Sequence, residues 1–221
     1  MVEELSPWEK AYRETSSLWG LEPERTLVKY ARLIPKGPVL DLGIGEGRNA
    51  LFFAKMGYAV EGIDLSETAI TRCLERARQA NLRVAARVAD LRSVTIPPAK
   101  FTLIIGAWVL QFLRKTKVET IVERLHAGLI DGGLVYAIVF SREDPGYQEF
   151  QDQHEPVDGE AHTFYDASMK TYIHYFTKAE LTALFAGFSP VYCMEGIMTE
   201  LDSGEPHQHG VVEFLGRKHS F

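Results

Sequence analysis

The chain has 221 residues, of which 46% are hydrophobic and 24% charged, proportions that suit one α/β domain with a real core. A formal net charge of −6 and a pI near 5.7 argue against a general nucleic-acid-binding surface. No apolar run approaches the roughly 20 residues that span a bilayer, the start (MVEELSPWEK) is acidic where a signal peptide is basic and then apolar, and Cys73 and Cys193 lack a metal-site spacing. A single cytoplasmic domain over residues 1–221 is the expectation.

Residues 6–33 carry Trp8, Tyr12, Leu18, Trp19, Leu27, Val28 and Tyr30 around a break at Gly20 and Pro23, which predicts two amphipathic helices. They form a helical cap over residues 1–34, covering the sheet edge or, because Tyr12 and Trp19 are large and amphipathic, acting as a lid. After Pro35-Lys36-Gly37-Pro38 comes VLDLGIGEGRN, a short apolar strand over 39–42 that runs into glycine at every second position: Gly43, Gly45 and Gly47. Such a turn lets a ligand approach the backbone, and the amides at the start of the next helix, 49–56 with Gly57 as its C-cap, point at that ligand.

A second strand over 58–63 ends at Asp64, and Ser66 caps a helix whose apolar face holds Ile70, Cys73, Leu74 and Ala77. Cys73 on that face reads as a core residue, not a nucleophile. A third strand over 82–89 ends at Asp90, and a fourth over 101–105 ends at Gly106-Ala107-Trp108. Val118, Ile121, Val122, Leu125 and Leu129 mark a helix, Asp131-Gly132-Gly133 a turn, and 134–140 a fifth strand. Residues 141–174 are polar, aromatic and irregular, an insertion longer than an ordinary connection. Thr177 with Glu180 makes a capping box for a helix burying Leu181, Leu184 and Phe185. Two last strands, 190–197 and 211–215, flank the turn-rich Asp202-Ser203-Gly204-Glu205-Pro206 and are expected to be antiparallel neighbours. The alternation predicts an α/β fold: a doubly wound, mostly parallel seven-stranded sheet with an antiparallel last strand and an N-terminal helical cap.

In such a sheet the ligand sits beyond the carboxyl ends of the strands. The first three strand ends bear Asp41, Asp64 and Asp90, which suits a ligand with hydroxyls and positive charge and repels a pyrophosphate. A dinucleotide fingerprint needs glycine at its first, third and sixth positions; counted from Gly43, the sixth is Arg48.

DLGIGEG, VEGIDLS and VADL, in that order, resemble the first three motifs of the class I S-adenosylmethionine-dependent methyltransferases, whose Rossmann-like fold the chain is then expected to share. GRNALFFAKMGYAV, and YFTKAELTALF followed by a late hairpin, are similar to the tellurite-resistance methyltransferase family. The resemblance implies S-adenosylmethionine as methyl donor. Gly43, Gly45 and Gly47 would approach its methionine part, and Arg48 would hold the carboxylate of that part. Asp64 would bind the ribose hydroxyls, with Leu65 packed near the adenine. Asp90 would accept from the adenine amino group with Leu91 beside it, and Ala107 and Trp108 would lie near the sulfonium. Asp41 would bind a water or order the loop. Asp64→Ala is expected to weaken cofactor binding and leave the fold intact.

The chain has Phe101-Thr102-Leu103 where such enzymes often carry an aspartate early in the fourth strand. It also lacks an Asn-Pro-Pro-Tyr type motif after that strand, unlike the amino-methylating enzymes of nucleic acids. The expected acceptor is therefore a small molecule, such as a thiol or a metalloid oxyanion like tellurite. The expected partners include neither nucleic acid nor membrane, and the assembly is a monomer or homodimer. Tyr12, Trp19 and Trp108 are candidates for cation–π contact with the sulfonium.

The insertion, 141–175, would lie over the active site. A soft anionic acceptor needs no general base; a hydroxyl acceptor needs one, for which His154, His162 and His174, with Tyr12, are the catalytic candidates. Tyr165, Tyr172 and Tyr175 serve packing or the acceptor. His207 and His209 in EPHQHG face one side of an extended strand and stay open between substrate-facing, structural and metal-binding roles. No metal site is expected. Two rival readings are a nicotinamide-dependent oxidoreductase and a non-catalytic cofactor-binding protein.

Overall fold

The computed structural model describes residues 5–200 and 206–219. In chain order the strands are β1 (Pro38–Leu42), β2 (Ala59–Asp64), β3 (Val84–Val88), β4 (Phe101–Ala107) and β5 (Leu129–Phe140). Three short ones follow, β6 (Pro156–Val157), β7 (Glu160–Asp166) and β8 (Thr171–His174), before the long β9 (Phe188–Glu200) and β10 (His207–Lys218). The helices are α1 (Pro7–Glu14), α2 (Arg25–Tyr30), α3 (Arg48–Lys55), α4 (Glu67–Gln79), α5 (Lys115–Gly128), α6 (Pro145–Gln153) and α7 (Lys178–Leu184).

Seven strands make one sheet in the order β3-β2-β1-β4-β5-β10-β9. The first five are parallel, and β10 runs antiparallel to both β5 and β9. Side chains alternate between the two faces. Leu40, Leu42 and Ile104 join Val118, Ile121, Leu125, Leu181 and Phe185 of α5 and α7. Val39, Leu103 and Ile105 join Leu27, Phe53, Ile70 and Cys73 of α2, α3 and α4. Helices therefore cover both faces, which is why β4 and β5 tolerate almost continuous apolar sequence. The strand order reverses between β1 and β4, and ligand crevices open at such a switch point.

Several expectations need correction. Asp131-Gly132-Gly133 is not a turn between elements: β5 begins at Leu129, opposite Phe101, and Gly132 at φ +71° forms an irregularity inside the strand before Leu134 pairs with Leu103. Leu129 accordingly belongs to β5 instead of α5. Leu74 is exposed, leaving Ile70, Cys73 and Ala77 as the buried face of α4. The insertion is ordered, with α6 followed by a three-stranded antiparallel sheet, β6-β7-β8. Phe164, Ile173 and Tyr175 form a small core there with Tyr147 and Phe150. Thr177 caps α7 by accepting from the Glu180 amide at 3.2 Å. The Glu180 carboxylate does not reciprocate and instead meets Lys115 and His174. The loop expected at 202–206 falls outside the described residues except for Pro206.

The two N-terminal helices divide. Leu27 of α2 packs in the core, whereas α1 is tied to the start of α4 through Glu9. The buried Glu9 carboxylate accepts from Ser66 Oγ at 2.6 Å, from Thr68 N at 3.1 Å and Oγ1 at 2.7 Å, and from Arg13 Nε at 2.6 Å. Burial opposes its charge, but these donors outweigh burial and hold the carboxyl at about 2. A depressed carboxyl stabilises the fold above its unfolded value and loses that contribution as pH falls toward the folded one. Acidification from about pH 4.5 to about pH 2 is therefore expected to release α1. Emission from Trp8 and Trp19 checks this: it shifts to the red over that window in the native chain, and the window disappears in Glu9→Gln.

Candidate functional site

The chain leaves β1 through Gly43, Gly45 and Gly47 at φ +67°, +52° and +91°, a left-handed path that side chains disfavour. At Gly45 the need is doubled, because a Cβ there would stand 2.7 Å from the Tyr12 hydroxyl, brought over the turn by α1. The turn is pinned to β2 by Ile44 N to Ile63 O and by Gly45 N to Asp64 Oδ2, each 2.9 Å. Asp64 Oδ1 accepts from Ser66 N at 2.9 Å, so this acid is structural as well as accessible to a ligand.

Beyond the ends of β1, β2 and β4 lies a cavity of about 550 Å³, within the size range of small-molecule sites. It gathers Gly43, Gly45, Arg48, Asp64, Leu65, Asp90, Leu91, Ala107 and Trp108, all expected ligand-facing positions, and also Asp41, which was expected to bind a water or order the loop. Gly47 does not line it; this glycine starts α3 and packs on Cys73, whose Sγ is 2.6 Å from where a Cβ would be. Glu46 lines the cavity instead and ties the turn to Ser17 Oγ (3.2 Å), Leu18 N (3.1 Å) and Arg72 Nη1 (3.2 Å).

Glu24 was not anticipated. Its buried carboxylate pairs with Arg48 and accepts from Trp108 Nε1 at 3.0 Å, while its amide donates to Asn49 Oδ1 at 2.9 Å. It sits in the irregular segment between α1 and α2, where no periodicity marks a residue as inward-facing. Arg48 is consequently shared between Glu24 and whatever enters the cavity.

Burial, reinforced by Asp64 and Glu24, pushes the Asp41 carboxyl up to about 8 against the pull of Arg48 and the Ala50 amide. Burial also raises Asp64, despite the amides of Ser66 and Gly45. Asp90 is lowered by Arg92, whose Nε lies 2.8 and 2.9 Å from its two oxygens; this carboxylate already has a cation. Burial pushes the Cys73 thiol up to about 12, in keeping with a core residue.

The proposed bases in the insertion are engaged elsewhere, and none lines the cavity. His154 stacks on Phe150, His162 Nδ1 bonds the Tyr147 hydroxyl at 2.7 Å, and the buried His174 lies between Thr163 (2.7 Å) and Glu180 (3.3 Å). Tyr12 does line it, with a hydroxyl that burial beside Asp64 and Glu46 keeps protonated. The histidines that reach the cavity are His207 and His209 of β10. No group of three or more metal-ligating side chains forms among the described residues.

The aromatic wall was only partly anticipated. Trp8 meets Phe112 edge-on at 4.6 Å, Trp108 meets Phe140 at 5.5 Å, and His209 lies 5.8 Å from Trp108 and 5.2 Å from Phe140.

Residues 39–133 match the family described as methyltransferase domain. A curated relative, the probable S-adenosyl-L-methionine-dependent methyltransferase TehB of Haemophilus influenzae, is 30% identical over 107 residues, 48% of this chain and 37% of that protein. The chain thus spans well under half the length of that relative. Among solved structures, an S-adenosylmethionine-dependent methyltransferase of Methanosarcina mazei superposes with a TM-score of 0.72 at 22% identity, over 90% of this chain and 99% of that one. The 1,6-didemethyltoxoflavin-N1-methyltransferase of Burkholderia thailandensis, determined with its substrate and S-adenosylhomocysteine, gives 0.66 at 21% identity, over 96% and 80%.

Proposed function

We propose, from the premise that this chain belongs to the class I S-adenosylmethionine-dependent methyltransferases and is TehB-like, that it transfers the methyl group of S-adenosylmethionine to a small-molecule acceptor. The observation that carries this is the convergence of the Gly43–Gly45 turn with Asp41, Glu46 and Asp64 on one cavity. A ligand with two ribose hydroxyls and two positive centres, an ammonium and a sulfonium, fits those acids, and a pyrophosphate does not.

In this reading Asp64 takes the ribose hydroxyls, while Leu65, Asp90 and Leu91 flank the adenine. Arg48, steadied by Glu24, faces the methionine carboxylate. Ala107 and Trp108 border the sulfonium, where the indole face favours positive charge. Bound S-adenosylmethionine supplies a methyl group on a good leaving sulfur. The protein's own part is to align the acceptor with it and keep water out, through α1 above the turn and the aromatic wall beside it.

Calorimetric titration tests the proposal: S-adenosylmethionine and S-adenosylhomocysteine are expected to bind, and NADH is not. Retention of NADH alone would favour the oxidoreductase reading. Binding without methyl transfer to any of a panel of thiols, tellurite, phenols and amines would favour the non-catalytic one. A thiol or tellurite acceptor is the class that the TehB resemblance suggests.

The raised Asp41 adds a pH dependence. A cationic ligand favours the carboxylate form and lowers its pKa, so binding releases a proton and tightens as pH rises. Affinity for S-adenosylmethionine is expected to increase from about pH 6 to about pH 9, and more steeply than that of S-adenosylhomocysteine, which lacks the sulfonium charge. Flat affinities across that range would remove Asp41 from the binding account.

A further inference from the structure

We propose that Glu24 is a positioning residue of the transfer: one of its carboxyl oxygens ties Arg48 to Trp108, and so sets the places of the two ends of the donor's methionine arm, carboxylate and sulfonium, relative to each other. This deepens the methyltransferase reading above and rests on it.

The side chain of Glu24 is turned toward the site and away from its own helix. It is the N-cap of α2, a position where Ser, Thr, Asp or Asn would bond the first amides, yet it makes no side-chain capping bond. Instead its amide donates to Asn49 Oδ1 at 2.9 Å, and its Oε1 accepts both from Arg48 Nη2 and from Trp108 Nε1, the latter at 3.0 Å. Arg48 and Asn49 open α3, and Trp108 follows β4, so one residue of the N-terminal segment joins two sides of the switch-point crevice. Arg48 and Trp108 line the cavity and Glu24 does not; it acts through them.

Both partners need holding. Trp108 has φ +57°, a left-handed conformation that a bulky side chain adopts only where its surroundings impose it. Its backbone N donates to Ile138 O at 3.0 Å and its indole N–H to Glu24, and these two bonds fix how the ring stands in the cavity wall. Arg48 carries a long side chain with a rival acid close by, since its charge acts on the buried Asp41. Without Glu24 the guanidinium pairs with Asp41 at the expense of a ligand carboxylate, and the indole loses its orientation. The tie is a matter of where an oxygen stands, so glutamine, which keeps an oxygen there, preserves it.

The test compares ligands by calorimetry. S-adenosylhomocysteine carries the whole methionine arm, and 5′-methylthioadenosine ends just beyond the sulfur. Absence of S-adenosylhomocysteine binding to the native chain defeats the cofactor reading itself. Glu24→Ala is expected to weaken S-adenosylhomocysteine about tenfold and 5′-methylthioadenosine by less than about twofold. Glu24→Gln is expected to keep most of the native affinity. Arg48→Gln is expected to cost about as much as Glu24→Ala, and the double variant no more than either, because the two residues act as one unit. The preference for S-adenosylmethionine over S-adenosylhomocysteine is expected to shrink in Glu24→Ala and in Trp108→Phe, whose ring has no N–H to donate. Equal losses for the two thioethers, S-adenosylhomocysteine affinity unchanged or raised in Glu24→Ala, or Glu24→Gln as weak as Glu24→Ala would each overturn the proposal. If Glu24→Ala melts below the assay temperature, an unchanged preference in Trp108→Phe overturns it.

Discussion

Replacing Asp64 by alanine is expected to raise the dissociation constant for S-adenosylhomocysteine about a hundredfold, from the loss of hydrogen bonds between a charged acceptor and two hydroxyls, together about 3 kcal/mol. The same change strips the acceptor from Gly45 N and Ser66 N, which both bond this carboxylate at 2.9 Å. Unfolding stability is therefore expected to fall by about 2 kcal/mol as well. Here the structure alters the expectation drawn from sequence, where the acid at the end of β2 seemed dispensable to the fold. Asp64→Asn separates the effects: its amide oxygen still accepts one backbone bond, so the stability loss shrinks while the affinity loss largely persists. Calorimetry with paired thermal melts checks both, and full affinity in Asp64→Ala would place the ribose elsewhere.

Gly210→Ala is expected to produce the largest change in stability. The added methyl meets the backbone of residues 143 and 144, which cannot rotate away as a side chain can. Overpacking of this kind costs about 3 kcal/mol, or about 10 °C in melting temperature for a chain of this size. It also displaces Asp144, which accepts from Gly210 N and lies 3.0 Å from His209 Nδ1. An unchanged melting temperature would mean that the 143–144 segment does not lie on β10 as described.

The sheet and its crevice were legible because each rests on a local pattern. Apolar runs such as 101–105 and 134–140 are buried on both faces, and the glycine turn has a fixed spacing. The acids at the ends of β1, β2 and β3 fall in the crevice because strand ends converge at the switch point. What sequence did not reveal depends on contacts distant along the chain. Glu24 reaches Arg48 and Trp108 across 24 and 84 residues, with no periodic neighbour to mark it. Asp144 meets His209 across 65 residues.

The insertion histidines were drawn toward the site by element order alone. The small sheet turns His162 toward Tyr147 and His174 toward Thr163 and Glu180, so that β10, not the insertion, supplies the cavity's imidazoles. Gly47 has the spacing of a ligand contact, but it does not line the cavity, and its surroundings are the N-terminus of α3 and Cys73.

A crystal structure of the complex with S-adenosylhomocysteine tests the central claim most directly. The account predicts Asp64 within hydrogen-bonding distance of both ribose hydroxyls, the adenine between Leu65 and Leu91, and the sulfur directed at the wall formed by Trp108, Phe140 and His209. A ligand lying outside the Gly43–Gly45 turn, or one whose ribose makes no contact with Asp64, would contradict it.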